Sequence, residues 1–380
     1  MTRNWDIFCS VVDNFGDIGV CWRLARQLSL ELGQSVRLWV DDLGSFQRLC
    51  HAVDPAREVQ RVCGVDIRHW RPTLPAVDPA DIVIEAFGVR LPDHYVDAMA
   101  ARTPRPVWVN LEYLSAENWV EGCHGLPSPH PRLPLVKHFF FPGYTSATGG
   151  VLRESGLTQK RDAFQNDAEA VARFWSALGV ASCAGTAARV SLFCYDNDAL
   201  APLVAAWSSG TGPVVCIVPA GTALRQLSVI TGRGIEPGTR VARGQLTIEA
   251  IPFLELDQYD RLLWACDLNF VRGEDSFVRA QLAARPLVWQ AYPQQQDAHM
   301  AKVGAFLGRY VAGLDDTTAA ALRAINELWN RQEQAVGQGW EALLARSDAA
   351  AAHARCWAGQ LAGGGSLATK LTEFCQDRLE

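Results

Sequence analysis

The chain has 380 residues, long for one compact core, and is 49% hydrophobic and 20% charged, the balance of a packed globular protein in two domains. A formal net charge of −6 argues against nucleic acid or an anionic membrane as the main partner, because both need a basic surface. Eleven scattered cysteines without a C-x-x-C pair, no signal segment and no run of 18 apolar residues exclude a disulfide framework, a zinc knuckle and a membrane span, and predict a cytoplasmic protein.

Strand-length apolar segments alternate with helical patterns from the first residues. Residues 5–12 (WDIFCSVV) read as a buried strand, the turn DNFGDIG follows, and 20–32 carry apolar residues at helical spacing. Gly33 ends that helix and a second strand starts at 36–40, which makes one βαβ unit. Further strands are predicted at 65–70, 81–87 and 106–111, with a helix over 93–102. Such alternation predicts a largely parallel sheet covered by helices.

Residues 115–154 interrupt the pattern with Pro, Gly, His and aromatic residues, and are expected to be an irregular functional segment. A helix at 168–178 and a hinge over 181–188 (ASCAGTAA) follow. A second series then begins, with strands at 189–195, 213–218, 246–251, 268–271 and 287–290. Helices are predicted between them at 200–208, 223–231, 257–265 and 277–284. Helical stretches at 317–336 and 339–360 and a tail at 367–379 close the chain. The predicted division is an N-terminal domain of 1–182, a C-terminal domain of 183–360, and a tail of about 361–380 packing back on the first. Ligands of open α/β sheets bind beyond the carboxyl ends of the strands, so the loops there are the candidates for chemistry.

The first such loop is Asp13-Asn14-Phe15-Gly16-Asp17-Ile18-Gly19. Gly16 and Gly19 would let the backbone turn tightly and approach a ligand, and the following helix would aim its N–H groups at it. The loop is neither G-x-G-x-x-G nor a P-loop. Two carboxylates there would repel a phosphate; they suit a place where a proton leaves or a cation is held. Asp17 also fits as a plain helix N-cap.

The second loop is Arg272-Gly273-Glu274-Asp275-Ser276, between a strand and a helix. Gly273 allows close approach, Ser276 is a cap candidate, and Arg272 offers a fork of donors to phosphate oxygens at a helix N-terminus. The continuation PLVWQAYPQQQDAH resembles the donor site of GT-B type nucleotide-sugar transferases, in which two Rossmann-like domains face each other across a cleft. Phe253 and Gln258 are placed to stack on a base and bond its edge. Phe193 and Tyr195 sit at a strand end, where aromatics also serve as core. The D-x-D string Asp196-Asn197-Asp198 reads as a turn and cap before the next helix.

Four segments carry a more specific likeness: VVDNFGDIGVCWRLARQL, LEYLSAENWVEGCHGLPSPHP, KHFFFPGYTSATGGVLRE and FVRGEDSFVRAQLAARPLVWQAYPQQQDAH. Together, over residues 5 to about 305, the chain resembles the elongation factor P arginine rhamnosyltransferases, the EarP family. The resemblance implies an inverting transfer of L-rhamnose from dTDP-β-L-rhamnose to one arginine of translation elongation factor P, activating that factor for ribosomes stalled at polyproline. It also implies catalytic carboxylates at Asp13, Asp17 and Glu274. Nucleotide-binding residues are implied at Phe193, Tyr195, Phe253, Gln258, Arg272, Asp275, Ser276 and Tyr292, with Gly273 beside them. The loop residues Asn14, Phe15, Gly16 and Gly19 would lie near the sugar. A guanidinium is protonated at any ordinary pH and is a poor nucleophile, so a carboxylate must hold it and take its proton, with Asp17 as the candidate base. In an inverting displacement the base and the leaving group lie on opposite faces of the sugar. No metal or other cofactor is expected. A transferase acting on a lipid or glycan, and a non-catalytic nucleotide-sugar-binding partner protein, are the competing readings.

Overall fold

The computed structural model describes residues 2–13, 15–71, 77–180 and 187–379. The chain forms two compact units, residues 1–155 with 363–380, and residues 156–362. The boundary expected at 182/183, and most of the expected hinge, fall on residues 181–186, outside the described set.

The first unit is built on one eight-stranded sheet. Its strands are β1 (Asn4–Cys9), β2 (Ser35–Val40), β3 (Val59–Val62), β4 (Val65–His69), β5 (Ile82–Ala86), β6 (Val107–Leu111), β7 (Pro127–Pro129) and β8 (Val136–Phe140). Their order is β3-β4-β2-β1-β5-β6-β8-β7. The strands from β4 to β8 run parallel, and β3 and β7 pair antiparallel at the two edges. All five residues of β5 and of β6 are buried, as expected of a parallel sheet with both faces covered.

The segment 115–154 is more regular than its composition suggests. It holds the helix Trp119–Cys123 and the hairpin of β7 with β8, and β8 extends the parallel sheet beyond β6. Only one of the five residues of β8 is fully buried, so its sequence VKHFF lacks the two-sided apolar run that marks β5 and β6. The C-terminal helix Leu367–Gln376 packs on this unit. Leu367 N–H donates to the Val151 carbonyl at 3.1 Å, Lys370 Nζ donates to the Thr148 carbonyl at 2.8 Å, and the Phe374 ring meets Phe140 edge-on at 5.2 Å.

The second unit carries β9 (Ala188–Leu192), β10 (Val214–Pro219), β11 (Arg240–Arg243), β12 (Leu246–Ile251), β13 (Leu268–Arg272) and β14 (Leu287–Gln290). Their order is β11-β12-β10-β9-β13-β14, parallel throughout except for β11 at the edge. The expected helix near 168–178 is present as Ala168–Ala177, but it is preceded by Leu157–Asn166, whose polar sequence hid its period. The stretch predicted over 317–336 is the helix Asp316–Asn330, and the stretch predicted over 339–360 is two helices, Val336–Leu344 and Ser347–Gly363. Both sheets wind outward from a central pair, β1/β5 in one and β9/β13 in the other. Loops leaving the carboxyl ends of those pairs diverge and open a place for a ligand.

One buried charge organises the first unit. Asp6, in the middle of β1, is fully buried and accepts from Arg37 Nε and Nη2, both at 2.6 Å, from Trp39 Nε1 at 2.9 Å and from the Ala80 N–H at 3.0 Å. The Tyr95 hydroxyl donates to it as well. The network ties β1 to β2, to the approach to β5 and to the helix Asp93–Ala101, beneath a cluster of Phe8, Trp39, Val83 and Met99. Removing the carboxylate leaves the buried Trp39, Tyr95 and Ala80 donors without their acceptor and Arg37 without its partner. Asp6→Ala is expected to cost about 3–5 kcal/mol, checked as a fall of several degrees in Tm on thermal denaturation of the intact chain.

Candidate active site

In the first unit, the loop after β1 runs into the helix Gly16–Leu30. Phe15 occupies the N-cap position and makes no side-chain cap, while Asp17 lies in the first turn. Asp17 is therefore not the N-cap that its spacing allowed. Its carboxylate turns back on the loop instead. Oδ2 accepts from the N–H groups of Val12 and Asp13, each at 2.9 Å, and Oδ1 accepts from the Tyr113 hydroxyl at 2.8 Å. Asp17 is fully buried, and Asp13 is half-buried above it in the sequence. The Asp13 carbonyl accepts from Phe15 N–H and from Gly16 N–H, the latter at 2.9 Å, which closes the turn. Gly16 and Gly19 belong to the helix rather than to the turn before it, so their expected role in tight turning is not theirs. Asn14 lies outside the described residues. The Arg48 guanidinium sits 5.0 Å from the Phe15 ring.

Two aromatics that the sequence reading passed over complete this end of the sheet. Phe87 follows β5 and Tyr113 follows β6, and their rings stack face to face at 4.2 Å with a 1° interplanar angle. Phe87 has φ +59°, a left-handed backbone rare for so bulky a residue.

In the second unit the strand ends β9 and β13 bring their candidates together. Arg272, the last residue of β13, is 8% exposed, and its guanidinium lies 4.7 Å from the Phe193 ring and 4.3 Å from the Tyr195 ring. Half-exposed Tyr292 meets Tyr195 edge-on at 5.5 Å. Gly273 turns the chain with φ +61°, and its carbonyl accepts from Trp289 Nε1 at 2.9 Å. The helix that follows is Asp275–Leu282, with Glu274 at the N-cap position, so it starts two residues before Phe277. Ser276 does not cap it. The Ser276 hydroxyl donates to the Arg272 carbonyl and accepts from the Arg272 N–H at 3.2 Å, which ties the helix start to the strand end. Gln290, at the end of β14, holds the β9 loop by accepting from Tyr195 N–H at 2.9 Å. Burial pushes the Cys194 thiol, between Phe193 and Tyr195 in the sequence, up to about 12.

Phe253 and Gln258 follow β12, half-buried and exposed respectively, and Gln258 lies on the helix Leu256–Ala265. That helix reaches the cluster through Tyr259, whose ring is 5.6 Å from Phe193. Asp196 and Asp198 are exposed in a turn closed by Leu200 N–H on the Asn197 carbonyl at 3.0 Å. The next helix has Ala199 at its N-cap position, so the turn expected there forms but neither aspartate caps. Among the described residues no three His, Cys, Asp or Glu side chains gather as a metal site. Tyr113, Phe87 and Gln290 escaped the sequence reading because each meets its partner only through strand pairing. The one local signal is an aromatic directly after a buried strand.

The arrangement is a paired-carboxylate loop in one unit, and an arginine stacked on aromatics beside a helix N-terminus in the other. The first suits a cation that must lose a proton, the second a nucleotide with its phosphates. The profile of the family described as Elongation-Factor P (EF-P) rhamnosyltransferase EarP matches residues 5–376. The chain is 49% identical to a protein-arginine rhamnosyltransferase of Pseudomonas putida over 380 residues, all of both chains. A structure solved as the basis for EarP-mediated arginine glycosylation of translation elongation factor EF-P superposes with a TM-score of 0.70 at 35% identity, covering 99% of each chain. A glycosyltransferase of Rickettsia africae at 9% identity shares the fold, with a TM-score of 0.55 over 100% of this chain and 99% of that one. The chain therefore belongs to the EarP family of elongation factor P rhamnosyltransferases, with the GT-B type glycosyltransferase fold.

Proposed function

We propose that this chain transfers L-rhamnose from dTDP-β-L-rhamnose to an arginine side chain of translation elongation factor P, with inversion, in the cytoplasm. The observation that carries this reading is the 49% identity, over 380 residues, to a protein-arginine rhamnosyltransferase. No helix among the described residues is long and apolar enough to cross a membrane. The direct test is mass spectrometry of elongation factor P incubated with the chain and dTDP-β-L-rhamnose. A deoxyhexose on one arginine is expected, and an unmodified factor would overturn the reading.

The reaction forms a bond from a guanidinium nitrogen to the anomeric carbon and breaks the bond from that carbon to the phosphate oxygen. The nucleotide diphosphate leaves and one proton must be removed. Asp13 and Asp17 are placed in the first unit to hold the guanidinium and accept that proton. Asp17 is fully buried, so whatever covers Oδ1 has to move aside for the guanidinium to reach it. In the second unit, Phe193, Tyr195, Phe253, Gln258 and Tyr292 would hold the nucleotide. Arg272 and the N–H groups at Asp275 and Ser276 would take the negative charge of the departing diphosphate. Glu274, at the N-cap position of its helix in the second unit, would be the third carboxylate taking part in the reaction.

Asp17→Asn is expected to abolish turnover while leaving dTDP-rhamnose affinity unchanged, since the amide keeps the shape and loses the proton acceptor. Calorimetry together with the mass-spectrometric assay separates the two effects. Arg272→Ala removes a charge-assisted contact contributing on the order of 1.5–3 kcal/mol. Donor affinity measured by calorimetry should fall roughly tenfold or more, and an unchanged Kd would take Arg272 out of the donor site. Each developing charge in this scheme has a protein partner, so no divalent ion is required. Full activity is accordingly expected in excess EDTA. Loss of activity that magnesium or manganese restores would make Asp196 and Asp198 the first places to look.

A further inference from the structure

The candidate base has an unusual cradle. A carboxylate offers about four lone pairs, and the torsion that spins it about its own axis is broad, so one anchored oxygen does not fix the other. In Asp17, Oδ2 is engaged by the Val12 and Asp13 N–H groups of its own loop. Those two donors sit on one oxygen only. The donor that fixes Oδ1 comes from 96 residues away, as the Tyr113 hydroxyl at 2.8 Å. With both oxygens held, the carboxylate plane is set, and Oδ1 keeps one lone pair that points away from Tyr113.

Tyr113 is itself held. Its ring lies flat on Phe87 at 4.2 Å; Phe87 has φ +59° and its N–H donates to the Leu111 carbonyl at 2.7 Å. Such strain persists where the surroundings over-determine it, and it gathers at functional sites. Asp17, Phe87 and Tyr113 follow β1, β5 and β6, three strands adjacent in the sheet, so one rigid sheet end holds the whole chain of contacts.

From this we infer that Tyr113 is a positioning residue for the transfer, orienting the Asp17 carboxylate toward the acceptor guanidinium, with Phe87 as its backing. The inference rests on Asp17 being the base. Tyr113 touches neither the sugar nor the nucleotide in this scheme, and its effect passes through Asp17.

The test uses the full-length chain with intact elongation factor P and dTDP-β-L-rhamnose. Tyr113→Phe keeps the ring and its stack and removes only the hydroxyl. A residue that matters only for packing would tolerate the change. Here kcat is expected to fall about 10–100-fold, as for a mis-set catalytic group. Tm, the calorimetric Kd for the donor and KM for elongation factor P should all stay near the parent values. Phe87→Leu keeps the hydroxyl and loses the flat backing, and a smaller loss confined to kcat is expected. Wild-type kcat in Tyr113→Phe, alongside an inactive Asp17→Asn, would overturn the positioning role and leave the base intact. An active Asp17→Asn would instead remove the base, and this inference with it.

Discussion

The candidate residues of each unit depend on one topological constraint, the reversal of winding in the middle of its parallel sheet. In the first unit β1 lies between β2 and β5, and in the second β9 lies between β10 and β13. Crossovers leave these central pairs toward opposite faces, so the loops at their carboxyl ends part instead of packing against each other. Asp17, Phe87 and Tyr113 follow three adjacent strand ends in one unit; Phe193, Tyr195, Arg272 and Gln290 lie at or just after three adjacent strand ends in the other. Parallel pairing brings together side chains that are tens of residues apart in the chain, with a rigidity that a surface loop alone would not have.

Two buried aspartates of the first unit show how the same side chain is put to different use. Asp6 is surrounded by side-chain donors of other elements: an arginine fork, a tryptophan and a tyrosine. It has a structural role, since its partners are distributed over the sheet and the helix that covers it. Asp17 is held by the amides of its own turn and by one distant hydroxyl. These anchors fix the carboxylate and leave Oδ1 a lone pair for an incoming cation, which a base needs.

The second unit handles charge differently. Arg272 lies against the faces of Phe193 and Tyr195, whose quadrupoles favour a cation without satisfying its N–H donors. An arginine held in this way keeps its fork available for phosphate oxygens, whereas a carboxylate partner would compete for it. Ser276 and Gln290 have no charge to offer. Their bonds to Arg272 and Tyr195 backbone set where the strand end, the helix start and the aromatic loop meet. Ser276 reads in sequence as a helix cap, and the structure makes it a strap on the residue that would meet the phosphates.

The amino-acid sequence by itself determined the alternation of strands and helices, the two acidic loops at strand ends, and the family. These are local properties, carried by apolar runs such as those of β1, β5 and β13, by Gly and Asp at turns, and by long idiosyncratic segments. Edge and near-edge strands were not legible: β3, β7, β8 and β11 are short or partly exposed, so their side chains need no two-sided apolar pattern. Tertiary structure decided what each candidate side chain touches. It turned Asp17 from a cap into a carboxylate clamped on its own loop, drew Tyr113 and Phe87 to it, and set Arg272 between two rings. Those outcomes depend on which strand ends are neighbours, and sheet order is a global property that no stretch of chain encodes alone.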